Sequence, residues 1–169
     1  MKRVRSSGFT LIELVVVISI LGILAIVVLP RLADLSDEAH RSSVDGTWGA
    51  LAVASNLVHA QWITQGKPPD VDDLRGFGNE DVNLSDEGWA VGTSGTGNSS
   101  SMTVATCIEV WRALLIDQAP SVGTSLDVDF GVSLGDAATD CLFTYQRGGV
   151  ETRTITYSAA TGGVYRFNP

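Results

Sequence analysis

An α+β fold is predicted, in which a long N-terminal helix with an apolar first half precedes a short second helix and a C-terminal antiparallel sheet. Three observations carry this expectation. From Leu14 to Leu29 the chain holds a single polar residue, Ser19. Helical spacing then continues to about Gln65, where Gly66-Lys67-Pro68-Pro69 stops it. The last third alternates apolar and polar residues in short segments separated by Gly148-Gly149 and Gly162-Gly163. A chain of 169 residues suffices for one modest domain and an anchor, since a useful core needs on the order of 100 residues.

The first eight residues hold Lys2, Arg3 and Arg5 and no acid. Positive charge there keeps the N-terminus cytoplasmic. A helix from Phe9 to Leu29 would extend about 31 Å at 1.5 Å per residue, enough to cross a hydrocarbon core of about 30 Å. A secretory signal peptide would end its apolar run in a small-x-small cleavage site, whereas Leu29-Pro30-Arg31-Leu32 follows here. A plain membrane anchor is the other simple reading, but it gives no reason for Glu13. A carboxylate in a spanning segment costs about 3 kcal/mol at mid-depth and less near an interface, so it requires a partner.

The stretch Gly8-Phe9-Thr10-Leu11-Ile12-Glu13-Leu14, with Gly22 and Pro30 beyond it, closely resembles the N-terminal signal of type IV pilins and type II secretion pseudopilins. The resemblance implies a type IV pilin fold and a division into a leader peptide (1–8), a membrane and assembly segment (9–30) and an exported domain (31–169). It implies cleavage between Gly8 and Phe9 by a prepilin peptidase, with methylation of the new Phe9 amine. It further implies that Glu13 pairs with that amine on a neighbouring subunit. Physically this is sound, because an α-amine titrates near about pH 8 and is largely cationic at neutral pH, so the two charges neutralise each other between apolar helices. An i,i+4 pair within one helix is the competing geometry. Gly22 weakens the helix and Pro30 removes the hydrogen bond to the Ile26 carbonyl. Both are tolerated in membrane helices as a simple kink, while the resemblance implies a section that can lose helical order in a fibre. The partners implied are other pilin subunits, the peptidase, the inner-membrane assembly machinery and, before assembly, membrane lipid.

The exported part of the first helix is apolar over more than half its circumference, through Ala50, Leu51, Val53, Ala54, Leu57, Val58, Ala60 and Trp62. A sheet would cover one side, leaving the other for the following loop or for neighbouring subunits. Gly46 and Gly49 cost such a helix about 1 kcal/mol each relative to Ala, and close backbone approach is the expected return. His40 and His59 lack convergent ligands and read as surface or partly packed side chains. Residues 66–101 read as a loop rich in acids, Gly, Ser and Thr, without the alternating acid spacing of an EF-hand. Gly95-x-Gly97 lacks the Lys-Ser or Lys-Thr of a phosphate loop and reads as a flexible turn.

A short helix is expected over 103–118, with Cys107, Val110, Trp111, Leu114 and Leu115 on one side. Strands are expected at Leu126 to Val132, Thr139 to Arg147, Val150 to Ser158 and Val164 to Phe167, forming an antiparallel sheet over 126–169. Cys107 and Cys141 are the two cysteines. An even pair in a chain with an export-like N-terminus reads as a disulfide, stabilising by about 4 kcal/mol in the chain-entropy model. Two buried free thiols are the alternative.

Net charge is −8; without Lys2, Arg3 and Arg5, 8 basic residues stand against 19 acidic ones, giving −11. That balance argues against nucleic acid as a partner, since phosphate contacts need clustered Lys and Arg. An anchored enzyme would need a nucleophile motif, a ligand cluster or a nucleotide loop, and the sequence provides none of these; no catalytic residue, metal or cofactor is expected. Cys107-Ile-Glu-Val-Trp-Arg-Ala-Leu-Leu115 together with Gly88-Trp89-Ala90-Val91-Gly92 is similar to the mannose-sensitive haemagglutinin pilin group. A fibre subunit acting in surface attachment is therefore the expected function, with a type II secretion pseudopilin and a non-polymerising anchored binding module as alternatives. The chain departs from the usual pilin plan in placing Cys107 on a helix, with a long segment after Cys141.

Overall fold

The computed structural model of the chain describes residues 9–69, 71–95, 101–116, 119–148 and 151–169. Gly97, expected in a turn, lies outside them. By compactness the chain divides into two units, residues 1–39 and 40–169. The first unit is helical throughout its described length from Leu11 and contributes the N-terminal part of α1 (Leu11–Thr64). α1 ends where Gly66 takes a positive φ of 84° and Lys67 N bonds back to the Trp62 carbonyl.

The second unit, residues 40–169, contains the rest of α1, α2 and two sheets. The α1 residues that turn inward are Val44, Leu51, Ala54, Val58 and Trp62, spaced 3, 4 and 7 apart on one helical stripe. Polar side chains of α1, among them Trp48, Ser55 and Trp62, fix it to the rest of the unit. Trp48 Nε1 donates to the Val164 carbonyl (2.9 Å) and buried Ser55 Oγ to the Gly162 carbonyl (2.8 Å). Trp62 Nε1 donates to the Pro68 carbonyl (2.9 Å).

The segment expected as loop contains a two-stranded antiparallel ribbon, β1 (Asn83–Leu84) and β2 (Ala90–Gly92), joined by a turn at Gly88. Its apolar residues Leu74, Val82, Leu84, Ala90 and Val91 are buried and belong to the main core. Acidic composition hid this because the acids Asp72, Asp73, Glu80, Asp86 and Glu87 face outward while the intervening apolar positions turn in.

α2 runs Val104–Leu115. Thr103 is its N-cap, with Thr103 Oγ1 accepting from Thr106 N and Thr106 Oγ1 accepting from Thr103 N (2.9 Å). Cys107, Val110, Trp111 and Leu114 are buried along one face. Trp111 tilts against Phe130 and Phe143 at ring-centre distances of 4.8 and 4.4 Å. Its Nε1 donates to the Pro120 carbonyl, which lets a large ring be fully buried without an orphaned N–H.

The main sheet has five strands in sequence order: β3 (Val122–Gly123), β4 (Phe130–Leu134), β5 (Asp140–Tyr145), β6 (Thr154–Ser158) and β7 (Val164–Phe167). It corrects the sequence expectation in two ways. β3 pairs with β4 in parallel, so the sheet is mixed rather than wholly antiparallel. Residues 126–129 are not strand: Leu126 is 89% exposed, and Arg147 and Ser121 hold Asp129 in the connecting loop. The β4–β7 meander is antiparallel throughout. Its inner face presents Phe130, Val132, Cys141, Phe143, Ile155 and Tyr157, all buried. Tyr157 Oη donates to the Ala90 carbonyl (2.8 Å), tying the meander to the small ribbon. Complete burial raises the Tyr157 pKa above its usual range, so this hydroxyl remains a donor.

Candidate processing and assembly site

Thr10 and Glu13 form the start of α1. Thr10 N and Thr10 Oγ1 both donate to Glu13 Oε2, at 2.9 and 2.7 Å, while Glu13 N donates to Thr10 Oγ1 at 3.3 Å. This is a capping box: the N-cap hydroxyl and the third-position carboxylate each satisfy the other's backbone donor. The carboxylate also sits where the positive end of the helix dipole favours it. Glu13 therefore has a partner within its own chain. Thr10 is a capping residue that charge and hydropathy pass over; its signal in the sequence is the Thr-x-x-Glu spacing ahead of an apolar run.

Beyond the cap, Leu11–Val28 is long and apolar enough to cross a membrane, and none of it is buried in the structure. Its one hydroxyl, Ser19, donates to the Val15 carbonyl at 2.8 Å, which removes the cost of an unpaired polar group in hydrocarbon. Phe9 is 82% exposed just ahead of the cap. Gly8 lies outside the described residues. α1 is assigned as helix through both Gly22 and Pro30, and nothing lies within 4 Å of where a Gly22 side chain would begin.

Cys107 on α2 and Cys141 on β5 are joined in a disulfide, with Cα atoms 5.6 Å apart, and both residues are fully buried. The bridge fastens the short helix to the inner face of the sheet. The histidines are partly packed. His40 Nδ1 lies 3.0 Å from Tyr145 Oη, and His59 stacks on Trp89 with ring centres 3.8 Å apart and donates from Nδ1 to the Gly88 carbonyl at 3.2 Å. Gly46 and Gly49 do not meet the expectation of close approach within the chain: nothing lies within 4 Å of the Cβ position at either.

Elsewhere on the surface, Glu109 of α2 accepts from Thr93 N (3.0 Å), Ser94 N (3.1 Å) and Ser94 Oγ (2.7 Å). Partial burial works to raise its pKa, and the hydrogen bonds from Thr93 and Ser94 outweigh that and hold it below its ordinary value. The contact anchors the segment after β2 to α2. Among the described residues no group of three or more His, Cys, Asp and Glu side chains could hold a metal ion.

Comparison with known proteins meets the site at its N-terminus. Residues 3–29 match the prokaryotic N-terminal methylation motif. Over 57 residues, 34% of this chain, it is 46% identical to the type IV narrow pilus major component PilA5 of Thermus thermophilus, a match that spans 49% of that relative. A match of equal extent, 44% identical and spanning 40% of the relative, is to the type II secretion system core protein G of Pseudomonas aeruginosa. The chain thus spans about half or less of the length of these two relatives. Fimbrial protein Q of Moraxella bovis is similar over nearly the whole chain, 32% identical over 164 residues that cover 96% of this chain and 94% of the relative. No solved structure matches. A methylation motif on an exposed apolar helix, an α+β domain behind it and near full-length similarity to a fimbrial protein place this chain in the type IV pilin family.

Proposed function

We propose that this chain is the precursor of a fibre subunit. A prepilin peptidase cuts between Gly8 and Phe9 and methylates the Phe9 amine, freeing residues 9–169 from the basic leader. Residues 9–30 then hold the subunit in the inner membrane, with residues 31–169 outside. The pilus assembly machinery draws the apolar helix out of lipid and into a bundle of helices from other copies. The observation that carries this reading is the match of residues 3–29 to the methylation motif on a segment that leaves Leu11–Val28 unburied in a lone chain. An apolar surface of that extent demands lipid or other helices.

In this reading Glu13 changes partners. In the single chain its carboxylate caps Thr10; in the fibre it meets the Phe9 amine of a neighbour, and a carboxylate with lone pairs left over can accept that cation while keeping the cap. Gly22 and Pro30 give the segment its extensibility under load. Within the family, the likeness of the Cys107–Leu115 and Gly88–Gly92 stretches supports a fibre of the mannose-sensitive haemagglutinin type, this chain being a minor pilin of B type with a role in surface attachment.

A second reading, a type II secretion pseudopilin, is favoured by the match to core protein G. Shearing whole cells separates the two. Recovery of the chain in surface fibres, lost when the prepilin peptidase is deleted, supports a pilus subunit. Retention in the cell envelope together with loss of exoprotein secretion on deletion of this gene supports the pseudopilin.

A further inference from the structure

The outer face of the five-stranded sheet carries two uncharged rows. Strand register aligns Gly131, Thr144, Thr154 and Phe167 across β4 to β7, with Ser133, Leu142, Thr156 and Tyr165 beside them. Paired positions share a face, and this one lies opposite the side that presents buried Val132, Phe143 and Ile155. Tyr165 and Phe167 are 63% and 60% exposed and stand about 7 Å apart, two residues along one strand. Between them, Arg166 turns to the other side, where its guanidinium lies 4.4 Å from the centre of the Trp48 ring. The Tyr165 ring rests on bare backbone: a Cβ on Gly163 would stand 2.7 Å from its Oη and 2.9 Å from its Cε2. One ring face is thus seated on Gly163, and the other is left to solvent. At the β4 end the rows meet a hollow of about 210 Å³ at Gly131, lined by Thr124, Ser133, Thr144 and Gln146.

We infer that this face binds a neutral polysaccharide, with the Tyr165 and Phe167 rings stacked on sugar rings and the threonine hydroxyls meeting sugar hydroxyls. The inference deepens the attachment role proposed above and rests on that reading for its use in the cell. Ring chemistry selects the ligand first. An open aromatic face packs against the apolar C–H face of a pyranose, and Thr156 and Thr154, paired directly with Tyr165 and Phe167, offer a donor and acceptor beside each ring. Charge narrows the choice. The eight positions of the two rows hold no Asp, Glu, Lys or Arg, and Asp140 stands at one end of the face, paired with Ser158. A nucleic acid, a polyuronate or a sulfated glycan would find no cation in these rows and would be repelled by a chain of net charge −8. A wholly apolar partner would bury the hydroxyls of Ser133, Thr144, Thr154 and Thr156 without replacing their hydrogen bonds to water. Four strands side by side make a ledge about 14 Å across, which suits an extended chain better than a single sugar.

The test is retention of the detergent-extracted full chain on cellulose, curdlan and amylose resin, with polygalacturonate as the charged comparison. The site requires retention on at least one neutral polysaccharide several-fold above that on polygalacturonate; retention on none of them, or equal retention on the polyuronate, overturns it. Tyr165→Ala and Phe167→Ala should each lower that retention at least several-fold with the melting temperature unchanged, since both rings are exposed. Leu126→Ala removes an exposed apolar side chain from the loop before β4 and should leave retention as it is. Wild-type retention in both ring variants, or an equal loss in Leu126→Ala, contradicts the site. Gly163→Ala tests the seat: it lifts the Tyr165 ring from the backbone and should lower retention at least twofold although the ring is still present, and unchanged retention would contradict the stacked pose. Thr156→Val keeps the shape and removes a hydroxyl, so it should also weaken retention; a gain would assign the face to an apolar partner. A wild-type chain that enters sheared fibres normally and is retained on no neutral polysaccharide sinks the site and leaves the fibre reading intact. A chain that is retained, and loses retention in the ring variants, yet never reaches fibres does the reverse.

Discussion

Glu13 Oε2 receives two hydrogen bonds from Thr10, one from its backbone N–H and one from its hydroxyl. The carboxylate thus serves the helix start, and this role can be separated by substitution from the proposed pairing with a neighbour. Gln at the third position keeps a capping box but carries no charge. Glu13→Gln should therefore preserve the start of α1 and still reduce incorporation into fibres as strongly as Glu13→Ala, with Glu13→Asp intermediate. The measurement is the ratio of this chain in sheared fibres to that in membranes. Full rescue by Gln would mean that the cap alone matters and that no cation meets Glu13.

The bridge between Cys107 and Cys141 joins α2 to β5 across a sequence separation of 34. Cys141→Ser should destabilise the chain by about 2–5 kcal/mol without changing processing at Gly8. Urea titration of the detergent-extracted chain with and without reductant reads this directly. A variant whose midpoint matches the oxidised wild type would show that core packing around Trp111 holds the helix by itself.

Gly162 sits at a φ of +65°, and a Cβ there would stand inside the indole of Trp89. Trp89 in turn stacks on His59 of α1. Gly162→Ala combines a left-handed backbone penalty with overpacking, about 2–4 kcal/mol together. Near-ultraviolet circular dichroism should show a loosened Trp89 environment alongside the lower melting temperature, and wild-type values for both would place Trp89 elsewhere.

Glu109 ties Thr93 and Ser94 to α2, and its carboxyl is held below its ordinary value of 4.5. A depressed folded pKa gives stability that is present above the unfolded value and is lost as pH falls through the folded one. Glu109→Gln should be less stable than wild type at neutral pH, with the difference shrinking as pH drops below about 4.5. Urea midpoints measured from pH 7 to pH 3 check this; a constant difference would assign the loss to hydrogen-bond geometry instead.

Much of this architecture is legible in the residues because the signals are local and repeated. The helix end at Gly66 to Pro69 and the inward positions Leu51, Val58 and Trp62 follow from period and from chain breakers. The β5–β7 meander follows from the alternation of Cys141, Phe143 and Tyr145 and from its glycine-rich turns. What is hidden depends on contacts distant in sequence. β3 is two residues long and lies parallel to β4, so neither alternation nor a hairpin turn announces it. The β1–β2 ribbon is brief and embedded among acids, and Leu74 and Leu84 there are recognisable as core only once packed. On α1 the apolar circumference is visible in the sequence, but which half meets the domain is not. Leu51 and Val58 are buried while Val53 and Leu57 are exposed, a division set by where the sheet lies. At the N-terminus the reverse holds: Gly8, Phe9 and Glu13 are marked by the basic leader and the lone carboxylate in an apolar run, and the capping role of Thr10 is marked by spacing alone.

Processing at Gly8 is the step from which the rest of the proposed mechanism follows, since that proposal needs a freed Phe9 amine to meet Glu13 of another copy. Intact-mass and N-terminal peptide analysis of the chain recovered from sheared fibres measures it directly. The prediction is a chain beginning at a methylated Phe9 and lacking residues 1–8; a chain in those fibres that still begins at Met1 would contradict it.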